Sequence, residues 1–550
     1  MTQGDYRAIA HEKRLQRSQK IPTAWELDDG KRQESINPLD VPITCGILND
    51  TEIDITSKHD ATSLLMGIKI GTWSVEQVTT AFCKRAAIAH QMVNCLTEIF
   101  FDEAIERARQ LDKQRQEFVG GKALPPLFGL PISIKDTFQI QGHDTSTGLA
   151  CYVNAPAKEH SAIAAMLLDL GAVLYCKTNV PQTVMTGDSD NNVFGRTLNP
   201  RNASMTAGGS TGGEGALLAL RGSVLGVGTD IGGSIRVPSI CNGIYGMKPS
   251  SGLIPHGGTR ELTVPGTDGV RSSVGPMATT FRDCALLLKT IMQADTWKYD
   301  SNVVSLPWRD LKPNKRLRIG LIEDDGFYTP VPPVRRGLKK AVDKLQQSNA
   351  VEIVPLILPK SDDWYDDLIS YFTLMGNEYY LEQLNRTGEP LVPSVKALGL
   401  LSEEKTSLLS GQKTTLQGFF DLNVRRTEVA NTYRRFFRDN NLDAILMPPA
   451  PHTALPLDTW TTVTSTGLWN YLDYPAVVVP VDAVTDADSI DDASNAKYGH
   501  QDAELYKLYT GPEFYKGLPI AVQVVGYRHQ DEALAATAGI LDSIINGEQG

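Results

Sequence analysis

Between Gly208 and Gly246 the chain places twelve glycines in 39 residues. Glycine weakens a helix or strand interior by roughly 0.5–1 kcal/mol relative to alanine, so this density marks backbone held in special conformations. Two loops stand out within it. The first is GGSTGGEG, Gly208 to Gly215, which opens the apolar helical run Ala216–Leu220. Glycines before a helix leave its first N–H groups unobstructed, and Ser210 or Thr211 can cap it. An anion cradle is the alternative, but a P-loop needs GK[ST] and a dinucleotide site needs GxGxxG after a strand; neither is present. The second is GVGTDIGGSIRVPS, Gly226 to Ser239. Consecutive N–H groups in such a loop can converge on one point and stabilise an oxyanion. Ser234, at its end, is placed to attack a carbonyl held there. Asp230 and Arg236 flank the loop with opposite charges and are expected to brace it rather than react.

A third feature lies upstream in FGLPISIKD, Phe128 to Asp136, where Lys135 ends an apolar strand. Burial disfavours an ammonium, and a neutral lysine amine is a competent general base near pH 7. Taken singly, each feature has a plainer explanation: a solvated lysine at a strand end, or a glycine-rich turn. Taken together, these plainer explanations weaken.

The remaining composition narrows the field. At 550 residues with 41% hydrophobic and 21% charged residues, the chain is an ordinary globular protein with enough length for a large core. Lys plus Arg is 53 against 64 Asp plus Glu, a net charge of −11, which argues against a nucleic-acid partner bound through a basic face. The seven cysteines show neither CxxC nor metal-ligand spacing and read as free thiols in a reducing compartment. No signal-peptide core and no run of about 18 apolar residues occurs, so a soluble, cytoplasmic protein without a membrane partner is expected. The nine histidines include no HExxH, and none lies between Gly208 and Gly246. With Ser234 outside a GxSxG elbow, neither a metal site nor a Ser–His–Asp triad is favoured.

Apolar runs at Leu130–Ile134, Ala172–Cys176, Leu317–Ile322, Val351–Leu356, Ala444–Met447, Ala476–Val479 and Ile520–Val525 read as buried strands. Helical periodicity at 74–89, Ala162–Leu170, Val334–Gln347 and Glu532–Ile545 alternates with them, Ser74 being a plausible N-cap. The expected fold is α/β: a large mixed, mainly parallel sheet covered by helices on both faces. The charged segment 5–20 reads as a surface helix or arm on the body, and 482–503 as an acidic surface loop.

At the level of motifs the chain resembles the amidase signature family, which shares a nearly identical GTDIGGSIR and GGS[ST]GG. The likeness extends through KTNVP (Lys177–Pro181), FGRTLNP (Phe194–Pro200) and GMKPSSGLIP (Gly246–Pro255). It continues with SVGPMATT (Ser273–Thr280), YPAVVVP (Tyr474–Pro480) and GLPIAVQVVG (Gly517–Gly526), and so covers about residues 75 to 540. The GGSTGGEGALLAL version and the N-terminal extension are most similar to fungal acetamidase-type members. The resemblance implies a single domain over 75–545 preceded by an N-terminal polar, helical arm over 1–74. It implies a Ser–Ser–Lys triad of Lys135, Ser210 and Ser234. Ser234 is then the acylated nucleophile, Ser210 the bridging serine after a cis peptide, and Lys135 the base. The N–H groups of Ile231, Gly232, Gly233 and Ser234 match the oxyanion hole, which Ser210 adjoins. It implies hydrolysis of carboxamides such as acetamide to acid and ammonia, with a small-molecule amide as partner, no metal and no other cofactor. A homodimer is expected only by analogy. An amidotransferase-type subunit and a long-chain amide hydrolase share the fold, and a non-catalytic scaffold is the alternative from another class.

Two segments are expected to matter less. The aromatic cluster Trp364, Tyr365, Tyr371, Phe372, Tyr379 and Tyr380 reads first as core packing and second as an acyl pocket. Residues Thr183–Asp188 are a candidate edge of the substrate site.

Overall fold

A computed structural model of the chain describes residues 4–28, 30, 37–118, 123–264, 266–312, 315–360, 363–399 and 414–547. Eleven strands form one sheet: β1 (Leu96–Ile99), β2 (Pro131–Lys135), β3 (Val173–Thr178), β4 (Leu225–Asp230), β5 (Tyr245–Lys248), β6 (Ser273–Ala278), β7 (Leu317–Leu321), β8 (Val351–Pro355), β9 (Ala444–Met447), β10 (Ala476–Ala483) and β11 (Pro519–Val525). Their order is β1-β3-β2-β4-β6-β5-β10-β11-β9-β7-β8. In β2, β3, β4, β5, β6, β9 and β11 every residue is buried, so both faces of the sheet are covered. Helices Val75–Val93 and Gly212–Ala219 pack against the β2 side, and Pro332–Gln346 and Asp531–Asn546 against β10 and β11.

The α/β architecture agrees with the sequence, but the sheet is not mainly parallel. Six of its pairings run antiparallel, against the four parallel pairings β2–β3, β2–β4, β7–β8 and β7–β9. The difference has a local cause. β1, β4, β5 and β6 are short, glycine-bearing or polar and lack a continuous apolar run, and four of the antiparallel pairings involve them. Where apolar runs are clear, the elements fall within a residue or two of expectation, except that β10 continues to Ala483 and the helix read over 74–89 continues to Val93. Ser74 caps the helix Val75–Val93 with a full capping box to Gln77.

The charged N-terminal segment forms the helix Tyr6–Ser18, with Lys13 and Arg17 turned inward and buried. Segment 482–503 is not a free acidic loop: Asp482 and Asp488 pair with Arg336, and the helix His500–Tyr506 begins within it. Among the described residues no helix is long and apolar enough to cross a membrane.

Candidate active site

The parallel neighbours β2 and β4 end side by side, with Ser133 opposite Gly226 and Ile134 opposite Val227. Lys135, last in β2, reaches across to the end of β4 and to the turn that carries Ser210. Its side chain is fully buried. Its Nζ lies 2.7 Å from Ser210 Oγ and 2.8 Å from Thr229 Oγ1. Burial pulls the ammonium down to about 7, against Asp230 and Glu261, which favour the charged form.

Ser210 follows the cis peptide Gly209–Ser210. It opens the turn into the helix Gly212–Ala219, which starts four residues before the apolar run because Gly212, Gly213 and Gly215 are themselves helical. Their reason is proximity: a Cβ on Gly213 would stand 2.3 Å from Asn179 N and 2.5 Å from Cys95 O. Thr211 occupies the N-cap position without a side-chain cap bond. In the same helix Glu214 is buried and bonds Ser133 and Thr178. Burial pushes its carboxyl up to about 7.

β4 runs directly into the second loop. Asp230 Oδ2 accepts the Ile235 N–H at 3.1 Å, and Arg236 reaches back to Asp230 Oδ1 at 2.9 Å and to Asn470 Oδ1 at 2.6 Å. Burial opposes the Asp230 charge, but the Arg236 guanidinium outweighs it and holds the carboxyl at about 2. This pair braces the loop, as its flanking positions suggested. Thr466 Oγ1 donates to Gly232 O at 2.6 Å and turns that carbonyl aside. Gly233 has φ 143°, and a Cβ there would meet Thr466 Oγ1 at 2.6 Å. Among the described residues, the N–H groups of Ile231, Gly232, Gly233 and Ser234 donate to no protein acceptor. The two loops are joined by Thr211 N–H donating to Ser234 O at 3.2 Å.

Ser210, Ile231, Gly232, Gly233 and Ser234 all line one cavity of about 1400 Å³. Lys135 lies behind that wall. Ser234 is half-buried, and among the described residues its hydroxyl makes no hydrogen bond. The structure therefore brings all six expected residues together, with a direct link between Lys135 and Ser210. From the aromatic cluster, Tyr365, Tyr371, Phe372 and Tyr380 line the cavity, while Trp364 and Tyr379 pack behind it. Thr183 through Gly187 also line it, as expected for that segment, whereas Asp188 is buried against Arg196.

Several site residues carried no recognisable sequence signal. Thr229 lies within the quoted motif, but nothing marks its hydroxyl as the lysine's second partner. Thr466 and Asn470 reach the loop from more than 230 positions away, in a segment without a glycine-rich signature. His256 and Glu261, 3.0 Å apart, face the same cavity. Burial opposes the Glu261 charge, but His256 holds its carboxyl below the usual range.

Comparison with known proteins gives the family and the fold. The family model for amidases matches residues 77–535. The chain is 36% identical over 548 residues to an acetamidase of Emericella nidulans, covering 96% of each protein. It is 35% identical over 552 residues to an amidase of Gibberella moniliformis, covering 99% of this chain and 100% of that one. Among solved structures, a fatty acid amide hydrolase superposes with a TM-score of 0.90 at 30% identity, covering 98% of this chain and 95% of the other. The chain belongs to the amidase family, hydrolases that act on amide C–N bonds.

Proposed function

We propose that the protein hydrolyses carboxamides through an acyl-enzyme on Ser234, with Lys135 and Ser210 as its proton relay. The observation that carries this reading is the fully buried Lys135 amine, 2.7 Å from Ser210 Oγ, behind the wall that holds Ser234 and four unpaired N–H groups. A lysine titrating at about 7 is neutral in a large fraction of molecules at neutral pH. The Ser210 hydroxyl then donates its proton to the amine and takes one from Ser234. Ser234 Oγ attacks the amide carbonyl, and the oxyanion rests on the N–H groups of the 231–234 loop. One such donor contributes about 3 kcal/mol to the transition state. Run in reverse, the relay protonates the departing nitrogen, without which an amine is a poor leaving group. Water then releases the acid from Ser234, and no cofactor enters any of these steps.

The acyl group is the open variable. Acetamidases are among the relatives, and acetamide would fill only a small part of a 1400 Å³ cavity walled by Phe372, Tyr380 and Trp460. That volume favours larger acyl or aryl groups as substrates and gives weight to a long-chain reading as well.

A fluorophosphonate probe tests the mechanism. Labelling of the wild type that disappears in Ser234→Ala is the expected result. Lys135→Ala is expected to fold and to lose activity by more than about a hundredfold, in keeping with the loss of a general base. Folded wild-type protein that is neither labelled nor active on any amide would favour a non-catalytic scaffold.

A further inference from the structure

The N-terminal helix Tyr6–Ser18 lies on the body with Ala10, Lys13 and Arg17 buried on one face, and Lys13 reaches a cluster of charges that adjoins the lysine strand. Lys13 Nζ pairs with Glu98 Oε1 at 2.6 Å and with Asp144 Oδ2 at 2.8 Å. Glu98, in β1, stands opposite Lys177 in β3. Lys177 Nζ in turn pairs with Asp136 Oδ1 at 2.6 Å and donates to the Asp144 carbonyl at 2.6 Å and to Thr145 Oγ1 at 2.7 Å. Asp136 directly follows Lys135, and its other oxygen accepts from Ser146 Oγ at 2.6 Å. These five charged side chains, two cationic and three anionic, form one continuous buried cluster from the N-terminal helix to the residue after Lys135.

We propose that Lys13 is a positioning residue for the hydrolytic site: through Asp144, Lys177 and Asp136 it fixes the end of β2 and so the aim of the Lys135 amine at Ser210. This rests on the amide-hydrolysis reading given above. The physical case is the cost of uncompensated buried charge. Asp144 is 5% exposed and Lys177 and Asp136 are essentially inaccessible, so none can turn to water without moving backbone. Burial already pushes Glu98 up to about 7 with Lys13 beside it. Without that ammonium, Glu98 and Asp144 lose the cation that both carboxylates pair with. The Asp144 carboxylate also holds the N–H groups of Asn154 and Ala155. The turn 144–146 that carries the Asp144 carbonyl, Thr145 and Ser146 is thus the shared anchor of both lysines. Relaxation of that turn moves Asp136. Arg17, one turn further along the helix, donates to Leu96 O at 2.6 Å and lies over the Phe194 ring, which seats the helix independently of Lys13. The arm therefore completes the support of the catalytic strand rather than decorating the surface.

The test is Lys13→Met beside Lys13→Arg in the full-length protein. Lys13→Met is expected to lower kcat on one amide at least about tenfold with KM within about threefold, because the relay and not substrate contact is disturbed. Lys13→Arg is expected to recover kcat to within about threefold. Wild-type kcat in folded Lys13→Met, or a loss that arginine does not repair, overturns the proposal. Should Lys13→Met fail to fold, the double variant Lys13→Met/Glu98→Gln removes one charge of each sign, and the same fall in kcat is expected. Hydrogen exchange separates this idea from the hydrolytic reading. Even in a protein without amidase activity, residues 131–148 must exchange faster in Lys13→Met than in wild type, and equal rates there end the proposal.

Discussion

Lys135 combines full burial, two hydroxyl partners and, among the described residues, no carboxylate in contact, and that combination decides its charge. Desolvation brings it from the ordinary 10.5 to about 7, so activity should require pH above that value. Below it the amine is protonated and cannot accept from Ser210. The expected kcat/KM therefore falls towards tenfold per pH unit on the acid side and levels off above about pH 8. Steady-state rates on one amide from about pH 5 to about pH 9 measure this, and a flat profile would mean that another base acts. Glu261 favours the ammonium, so Glu261→Gln should move the midpoint to lower pH. The same group affects stability. Its folded value lies below its unfolded one, so between about 7 and 10.5 the unfolded chain binds more protons and stability rises with pH. The slope contributed is at most about 1.4 kcal/mol per pH unit for one proton, and it should be missing in Lys135→Met when denaturant unfolding is compared at two pH values in that window.

At the scale of elements, the two glycine-rich loops differ in what their glycines do. Gly213 allows the helix Gly212–Ala219 to touch the backbone of Asn179 and Cys95, so Gly213→Ala should cost about 2–3 kcal/mol or more in urea unfolding, since neither contact is a side chain that can swing away. Gly232 has nothing nearer than 3.7 Å around its missing Cβ, namely Phe372 and Val463 of the cavity. Gly232→Ala should keep wild-type stability and instead discriminate against bulky substrates. The contrast shows what was legible in the sequence. Lys135 and Ser234 could be named as candidates from residue type and glycine spacing, whereas Ser210, read locally as a helix cap, entered the expected triad only through the family resemblance. The strands β4, β5 and β6 could not be recognised, because Gly226 and Gly228 in β4, Gly246 in β5, and Gly275 with Pro276 in β6 break the apolar runs by which strands are identified. The burial of Lys13 and Arg17 was equally hidden, since a charged helix face reads as solvated until its partners are brought to it: the Glu98 and Asp144 carboxylates for Lys13, the Leu96 carbonyl for Arg17. Thr466 and Asn470 belong to the site only through tertiary packing, which no local pattern encodes.

For the molecule as a whole, the sheet places Lys135 and the 231–234 loop at the ends of β2 and β4, while distant segments build the cavity beside them. Tyr365, Tyr371 and Phe372 arrive from the helix Trp364–Phe372, and Trp460 and Val463 from the turn before helix Thr464–Tyr471. On the proposed mechanism, the relay residues and the aromatic cavity wall therefore come from separate parts of the chain. If the aromatic wall binds the acyl group, each buried methylene adds about 0.8 kcal/mol, or up to roughly fourfold in kcat/KM. A series from acetamide through butanamide to hexanamide and benzamide should then climb by at least about tenfold between its first and last linear members. Phe372→Ala should flatten that climb more than it lowers the rate on acetamide, because acetamide reaches little of the wall. A series that peaks at acetamide and declines with length would instead mean that the cavity is occupied by protein or water during turnover and that the active volume is confined to the 231–234 loop.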